Sequence, residues 1–88
     1  IPFGSLVELG IVKPGMSIFD QKKKINAKIM ADGSVKYHNS EGSIHKMAAK
    51  IIGAESCNGW TYWHCNMDGT IVPIDNLRQR LISRSALD

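Results

Sequence analysis

Apolar residues at Ile44, Met47, Ala48, Ile51 and Ile52 occupy the i, i+3, i+4, i+7 and i+8 positions of one helical face. The pattern predicts an amphipathic helix with Ser43 as its N-cap and Gly53 as its stop, leaving Lys46 and Lys50 one turn apart on the outer face. Over residues 24–31 the period changes to two. Ile25, Ala27, Ile29 and Ala31 point one way, while Lys24, Asn26, Lys28 and Met30 point the other, as in a half-buried strand. Asp32-Gly33 then predicts a type I′ hairpin, which needs positive φ at both central residues. The chain returns with Val35 and Tyr37 on one face and Lys36 and His38 on the other. In this register Lys24, Lys28, Lys36 and His38 share one face of the sheet.

The flanking segments are read the same way. Ser5-Leu6-Val7-Glu8 fits a capping box that opens a short helix, closed by Gly10 and followed by a Pro14-Gly15 turn and a short strand over 17–20. Residues 39–42 read as a polar loop. The aromatic and β-branched run from Trp60 through Cys65 reads as a strand, and Asp68-Gly69 as a hairpin turn. The return strand over 70–74 carries Pro73, which suits an edge or a strand end. Asp75 is the expected cap of a last helix with Leu77, Leu81 and Ile82 inward and Arg80 and Arg84 outward. The expected architecture is α+β: a small antiparallel sheet of hairpins with a central amphipathic helix and short N- and C-terminal helices. Residues 1–84 form a single domain and residues 85–88 a tail.

Composition narrows the class. Of 88 residues, 43% are hydrophobic and 22% charged, the balance of a globular domain rather than a disordered segment. Eleven Lys and Arg against eight Asp and Glu give a net charge of +3, a modest hint of an anionic partner. No apolar run approaches the roughly 20 residues needed to span a bilayer, and no leader pattern opens the chain, so a soluble domain is expected. Cys57 and Cys65 are too few for a disulfide scaffold and point to reduced thiols in a cytosol. Opening on Ile1 rather than Met points to a piece of a larger protein.

Catalytic signatures are missing from the sequence. It has no phosphate-binding or dinucleotide glycine pattern and no nucleophile elbow. A Cys-His pair drawn from Cys57, Cys65, His45 and His64 would have to be made in space. No Cys or His spacing matches a metal site, which favours small buried thiols and ordinary imidazoles. Nucleic-acid binding has more support. Lys22-Lys23-Lys24 with Lys28 and Lys36 supplies cations around one hairpin, read either as phosphate contacts or as a solvated face protecting a sheet edge. Ser43, His45 and Lys46 at a helix start offer free amides, a hydroxyl and a charge to one phosphate, or form a plain N-cap. In Asn58-Gly59-Trp60, Asn58 can read a base edge and Trp60 can stack on a base, against the alternative of a turn and a core residue. Trp63 is assigned to the core.

Four separated stretches carry a resemblance across nearly the whole chain: residues 5–15, Gly42-Ser43-Ile44-His45-Lys46, residues 57–64, and Ile74-Asp75-Asn76-Leu77-Arg78. In that order and spacing the chain resembles the C-terminal domain of the cell-cycle-regulated DNA adenine methyltransferases of alphaproteobacteria, within the restriction-enzyme and adenine-methylase associated group. The resemblance implies a parent that uses S-adenosylmethionine to methylate adenine N6 in GANTC during DNA replication, with its Asp-Pro-Pro-Tyr and cofactor motifs in a larger N-terminal catalytic domain. It implies no cofactor in this domain, a homodimeric parent, and a bacterial cytoplasmic, nucleoid-associated setting away from any membrane. Carried over by motif, Ser43, Asn58, Trp60 and Arg78 are the expected double-stranded DNA contacts, with His45 and Lys46 beside them and Lys24, Lys28 and Lys36 on the hairpin. Arg78 follows the apolar Leu77, so a structural ion pair is its alternative role. The competing reading of the whole domain is an interaction or dimerisation module working through its aromatic face.

Overall fold

Six strands make one antiparallel sheet, in the order β4-β3-β2-β1-β5-β6, and four helices cover one side of it. The computed structural model describes residues 2–87, with side chains described through Ser83. In chain order the elements are α1 (Phe3–Glu8), β1 (Ser17–Phe19), β2 (Asn26–Ile29), β3 (Val35–Tyr37), β4 (Ser40–Gly42), α2 (Ile44–Ile52), α3 (Gly59–Tyr62), β5 (His64–Met67), β6 (Thr70–Pro73) and α4 (Asp75–Leu87). The α+β expectation holds, and the two groups of strands join through Phe19 of β1 opposite His64 of β5.

The alternation read from residues 24–31 sets the register. Ile18 lies opposite Ala27 and Ile29 opposite Val35, and all four are buried against helix residues Leu6, Ile44, Met47, Ala48 and Leu77. The other face of the same strands carries Ser17, Lys28, Lys36 and Glu41 as successive cross-strand neighbours. Ala31, expected inward, lies beyond the strand and is exposed. Ser43 caps α2 as its sequence implies, accepting the Lys46 N–H at 3.0 Å, and Gly53 ends the helix in the left-handed conformation.

Several sequence expectations are corrected. The first helix begins three residues early, with Pro2 at its N-cap and no side-chain cap, so Ser5 is inside the helix. The Asp32-Gly33 turn is not type I′: only Gly33 has positive φ, and the Gly33 N–H donates to Met30 O while Met30 N–H donates to Ser34 O. This is the longer turn in which the last loop residue alone is left-handed. Asp68 and Gly69 both have positive φ, as a type I′ turn requires. Residues 40–42 are an edge strand, not a loop: His38, at φ 54°, lets the chain reverse within two residues. Having no buried face of its own, that strand gives no apolar alternation. Trp60 to Tyr62 form a single helical turn instead of a strand, because Asn58 Oδ1 accepts the Trp60 N–H and starts a helix that local strand propensity does not favour. In the last helix Leu77 is buried but Ile82 is exposed, and Asp75 sits in the first turn, paired with Arg78. The Arg84 side chain lies outside the described residues. Pro73 is both the last residue of its strand and on the sheet edge.

Candidate nucleic-acid interface

The start of α2 and the start of α3 meet, and the cause is a missing side chain. A Cβ on Gly59 would come within 2.5 Å of Ile44 C, 2.6 Å of Ile44 O and 2.8 Å of His45 N. Only a glycine lets the two backbones approach this closely. The contact is fixed by the Gly59 N–H, which donates to His45 Nδ1 at 2.9 Å, and by the Trp63 indole N–H, which donates to Ile44 O at 2.9 Å. Because a backbone N–H must donate, Nδ1 is the acceptor and the neutral His45 ring carries its proton on Nε2. That leaves an N–H donor free on the outer side of the ring.

Ser43, His45, Lys46 and Asn58 are exposed around this junction. The first-turn amides of α2 have no intrahelical acceptor, and the Ser43 hydroxyl takes up that of Lys46. Asn58 uses Oδ1 on the Trp60 N–H, and its backbone O accepts the Thr61 hydroxyl at 3.1 Å. Its side-chain NH2 has no role in that cap. Two clefts flank the junction. One, about 320 Å³, is lined by Phe3, Gly4, Gly33, Ser43, His45 and Trp60 among others. The other, about 310 Å³, runs past Ser43, His45, Lys46, Glu55, Ser56 and Cys57. The junction thus presents hydroxyl, imidazole, ammonium and carboxamide donors beside the positive end of a helix, a set suited to phosphate or base-edge oxygens. Glu55 is the one acid in that lining.

Trp60 and Arg78 belong to the same place but stand behind it. Trp60 is only 5% exposed, packs edge-on against Phe3 at 5.8 Å between ring centroids, and has the Arg78 guanidinium 4.5 Å above its ring. Arg78 is also paired with Asp75, the role its neighbour Leu77 suggests. Arg78 Nε and Asp75 Oδ1 nevertheless lack an aligned hydrogen-bond partner among the described residues. Trp63 is fully buried, as expected, and stacks nearly parallel to Tyr62 at 4.9 Å. Both tryptophans are therefore covered, and at this end of the sheet the half-buried Tyr62 is the ring that still reaches the surface among the described residues.

The hairpin lysines are elsewhere. Lys28 and Lys36 lie directly opposite each other on the sheet face away from the helices, and Lys24 is exposed in the loop before β2. His38 leaves that face: it turns back so that its ring lies 4.2 Å from Tyr37. The thiols show no catalytic arrangement. Cys65 is buried, and burial raises its pKa above the ordinary thiol range. Cys57 lies near His45, whose Nδ1 is already committed to Gly59. Among the described residues no three His, Cys, Asp or Glu side chains cluster to hold a metal ion. Nor is any helix of the described residues long and apolar enough to cross a membrane. Sequence reading missed Gly59 as the joint and Phe3 as a wall of the cleft. The only signal for Gly59 was its place between a helix-capping Asn and a tryptophan.

A small antiparallel sheet backed by helices, with two helix starts locked together and polar side chains at the lock, defines a small α+β domain with one polar rim. The chain belongs to the Restriction Enzyme Adenine Methylase Associated family, whose model matches residues 1–87. It is 31% identical over 78 residues to the Type II methyltransferase M.HinfI of Haemophilus influenzae, a match covering 89% of this chain and 22% of that enzyme. The chain therefore spans roughly a fifth of the length of that relative.

Proposed function

We propose that this domain binds double-stranded DNA for a site-specific adenine-N6 methyltransferase, through the junction of α2 and α3. The observation that carries the reading is the convergence of Ser43, His45, Lys46 and Asn58, two separate sequence motifs, on one exposed rim beside a helix N-terminus. The relative's name supports a methyltransferase parent. In this proposal the parent methylates adenine in GANTC with S-adenosylmethionine supplied at a catalytic domain on the same chain, and works as a homodimer in the bacterial cytoplasm at replicating, nucleoid DNA through the cell cycle. The cofactor in this proposal belongs to the catalytic domain, and no residue of this domain is assigned to it.

Reaching a base inside a duplex costs a few kcal/mol of unstacking, which contacts made outside the catalytic domain help to offset. Lys46 and the helix start hold phosphate, the His45 Nε2–H and the Asn58 carboxamide address oxygens or a base edge, and Trp60 with Arg78 keeps the rim in place. The competing role in protein association would have to work without Trp60 and Trp63, which are both buried, and would rest on the half-buried Tyr62. The test is fluorescence anisotropy of the chain with a labelled GANTC duplex at about 50 mM salt, where phosphate contacts are strongest. Ser43→Ala combined with Lys46→Gln is expected to weaken binding about tenfold while leaving the circular dichroism spectrum unchanged, the loss of roughly 1.4 kcal/mol of contact. Absence of binding by the unaltered chain, or an unaltered affinity in the variant, refutes the assignment.

A further inference from the structure

The lysines of the β2–β3 hairpin have no structural task that explains them. Edge protection is excluded, because β2 and β3 are interior strands of the sheet and its edges are β4 and β6. Lys28 and Lys36 are direct cross-strand partners, an arrangement of like charges that works against a sheet. Lys28 Nζ donates to Ser17 Oγ at 2.7 Å, and Lys36 faces Glu41 on its other side, so the pair is only partly offset. Lys23 extends the row: its Nζ lies 5.2 Å from the centre of the Phe19 ring, on the strand next to β2 and on the same face, where Phe19 pairs with Asn26. The main apolar cluster, to which all four helices contribute, lies on the opposite face; on this one Asn26, Lys28, Lys36 and Glu41 are exposed, while Phe19 and His64 at its β1–β5 end are buried.

We propose that the open sheet face, centred on Lys28 and Lys36 with Lys23 beside them, is a second and sequence-independent binding surface for the phosphate backbone of a duplex. The occupant is a polyanion rather than a lipid surface, because the neighbours of the lysines on this face are Ser17, Asn26 and Glu41 and its one ring, Phe19, is buried, so that among the described residues the face offers no exposed apolar side chain to insert. The face looks away from the α2–α3 junction, with the sheet between them, so a straight duplex held at the junction does not reach it. One domain therefore holds two backbone segments, either two duplexes or two arms of a bent one. The lysine surface stands on the sheet register, while the holding of two segments, and with it the stoichiometry of two, rests on the junction also being a DNA site.

The experiment titrates the 88-residue chain with a 16-bp duplex lacking GANTC across a range of salt, with stoichiometry read by sedimentation. Lys28→Gln/Lys36→Gln is expected to make the slope of log K against log salt shallower by about 2, since each phosphate contact contributes roughly 0.9. The same variant lowers the stoichiometry from two duplexes per chain to one. Lys28→Thr/Lys36→Thr, built from strand-favouring residues, replaces it where the first variant loses its fold by circular dichroism. Unchanged slope and stoichiometry in the folded lysine variant overturns the proposal, as does lysine-dependent binding to anionic phospholipid vesicles with none to duplex. Ser43→Ala/Lys46→Gln separates the two sites. If it leaves binding intact while the lysine variant abolishes it, the sheet face stands and the junction fails as a DNA site.

Discussion

Replacing Gly59 by Ala sets two physical effects against each other with opposite signs. Gly59 is the first residue of α3, and its φ is not in the positive region, so alanine fits the local helical backbone. Helix propensity alone favours the change by about 1 kcal/mol. The new methyl, however, would stand 2.5 to 2.8 Å from three backbone atoms of Ile44 and His45, none of which can rotate away. Forcing α3 off α2 carries an overpacking cost of about 1–3 kcal/mol. It also lengthens the Gly59 N–H to His45 Nδ1 bond, for about 1 kcal/mol more. The net is a destabilisation of about 2 kcal/mol, which lowers Tm by roughly 8–16 °C in a domain of this size. A thermal melt followed by circular dichroism measures it, with DNA affinity at a temperature where the variant is folded as the second readout. An unchanged or raised Tm shows that the two helix starts are not in contact as described, and the site built on that contact falls with it.

Two further outcomes are expected. Trp60→Ala removes a buried indole together with its contacts to Phe3 and Arg78, costing about 3–5 kcal/mol, so any loss of DNA binding is accompanied by a large fall in Tm; lost binding at unchanged Tm would show that Trp60 acts by direct stacking. Burial raises the pKa of Cys65, and burial followed by the charge of Asp20 raises that of Tyr62. A raised folded value means their contribution to stability is whole below the ordinary thiol and phenol range and is lost as pH climbs through the raised values. Denaturant midpoints should therefore fall on the alkaline side, and Cys57 should react with a thiol reagent long before Cys65. A Cys65→Ala variant that keeps the full alkaline decline assigns it to Tyr62 and other groups.

Those parts of the fold with one wet and one dry face were legible in the sequence. The α2 stripe from Ile44 to Ile51 and the Ile25 to Ile29 alternation came through with the right partners, because burial on one side writes a period into the chain, whereas Ile52, expected on the same stripe, is exposed at the helix end. Where burial was not one-sided the pattern was silent or misleading. The strand Ser40–Gly42 has no buried residue to reveal it, and Trp60 lies in a helical turn because a capping side chain and a glycine contact outweigh strand propensity. The two Asp-Gly turns differ in type although the dipeptide is the same. At 32–33 the Asp32 carboxylate accepts the Ser34 N–H and hydroxyl, a local bond that suits the three-residue loop, whereas at 68–69 it is Asn66 Oδ1 that accepts the Gly69 N–H. The candidate residues were identifiable by motif, but the division between exposed and supporting members was not, since it depends on which motif lies behind which.

That division changes what a loss of function at these positions means. Ser43, His45, Lys46 and Asn58 are exposed, so substitutions that spare the helix caps remove donors without disturbing the core. Trp60 and Arg78 reach the same rim only through packing: the indole fills the space behind Ser43 and His45, and the guanidinium holds the indole against Phe3 while Asp75 anchors it from one turn back. A change at either must move the rim before it can change a contact. Affinity falling with intact Tm is the signature of Lys46, whose side chain caps nothing, whereas changes at Ser43, His45 and Asn58, which also hold the helix starts, lower Tm as those at Trp60 and Arg78 do. The motif therefore encodes a binding rim and its scaffold together, joined where the Gly59 backbone lies against Ile44 and His45.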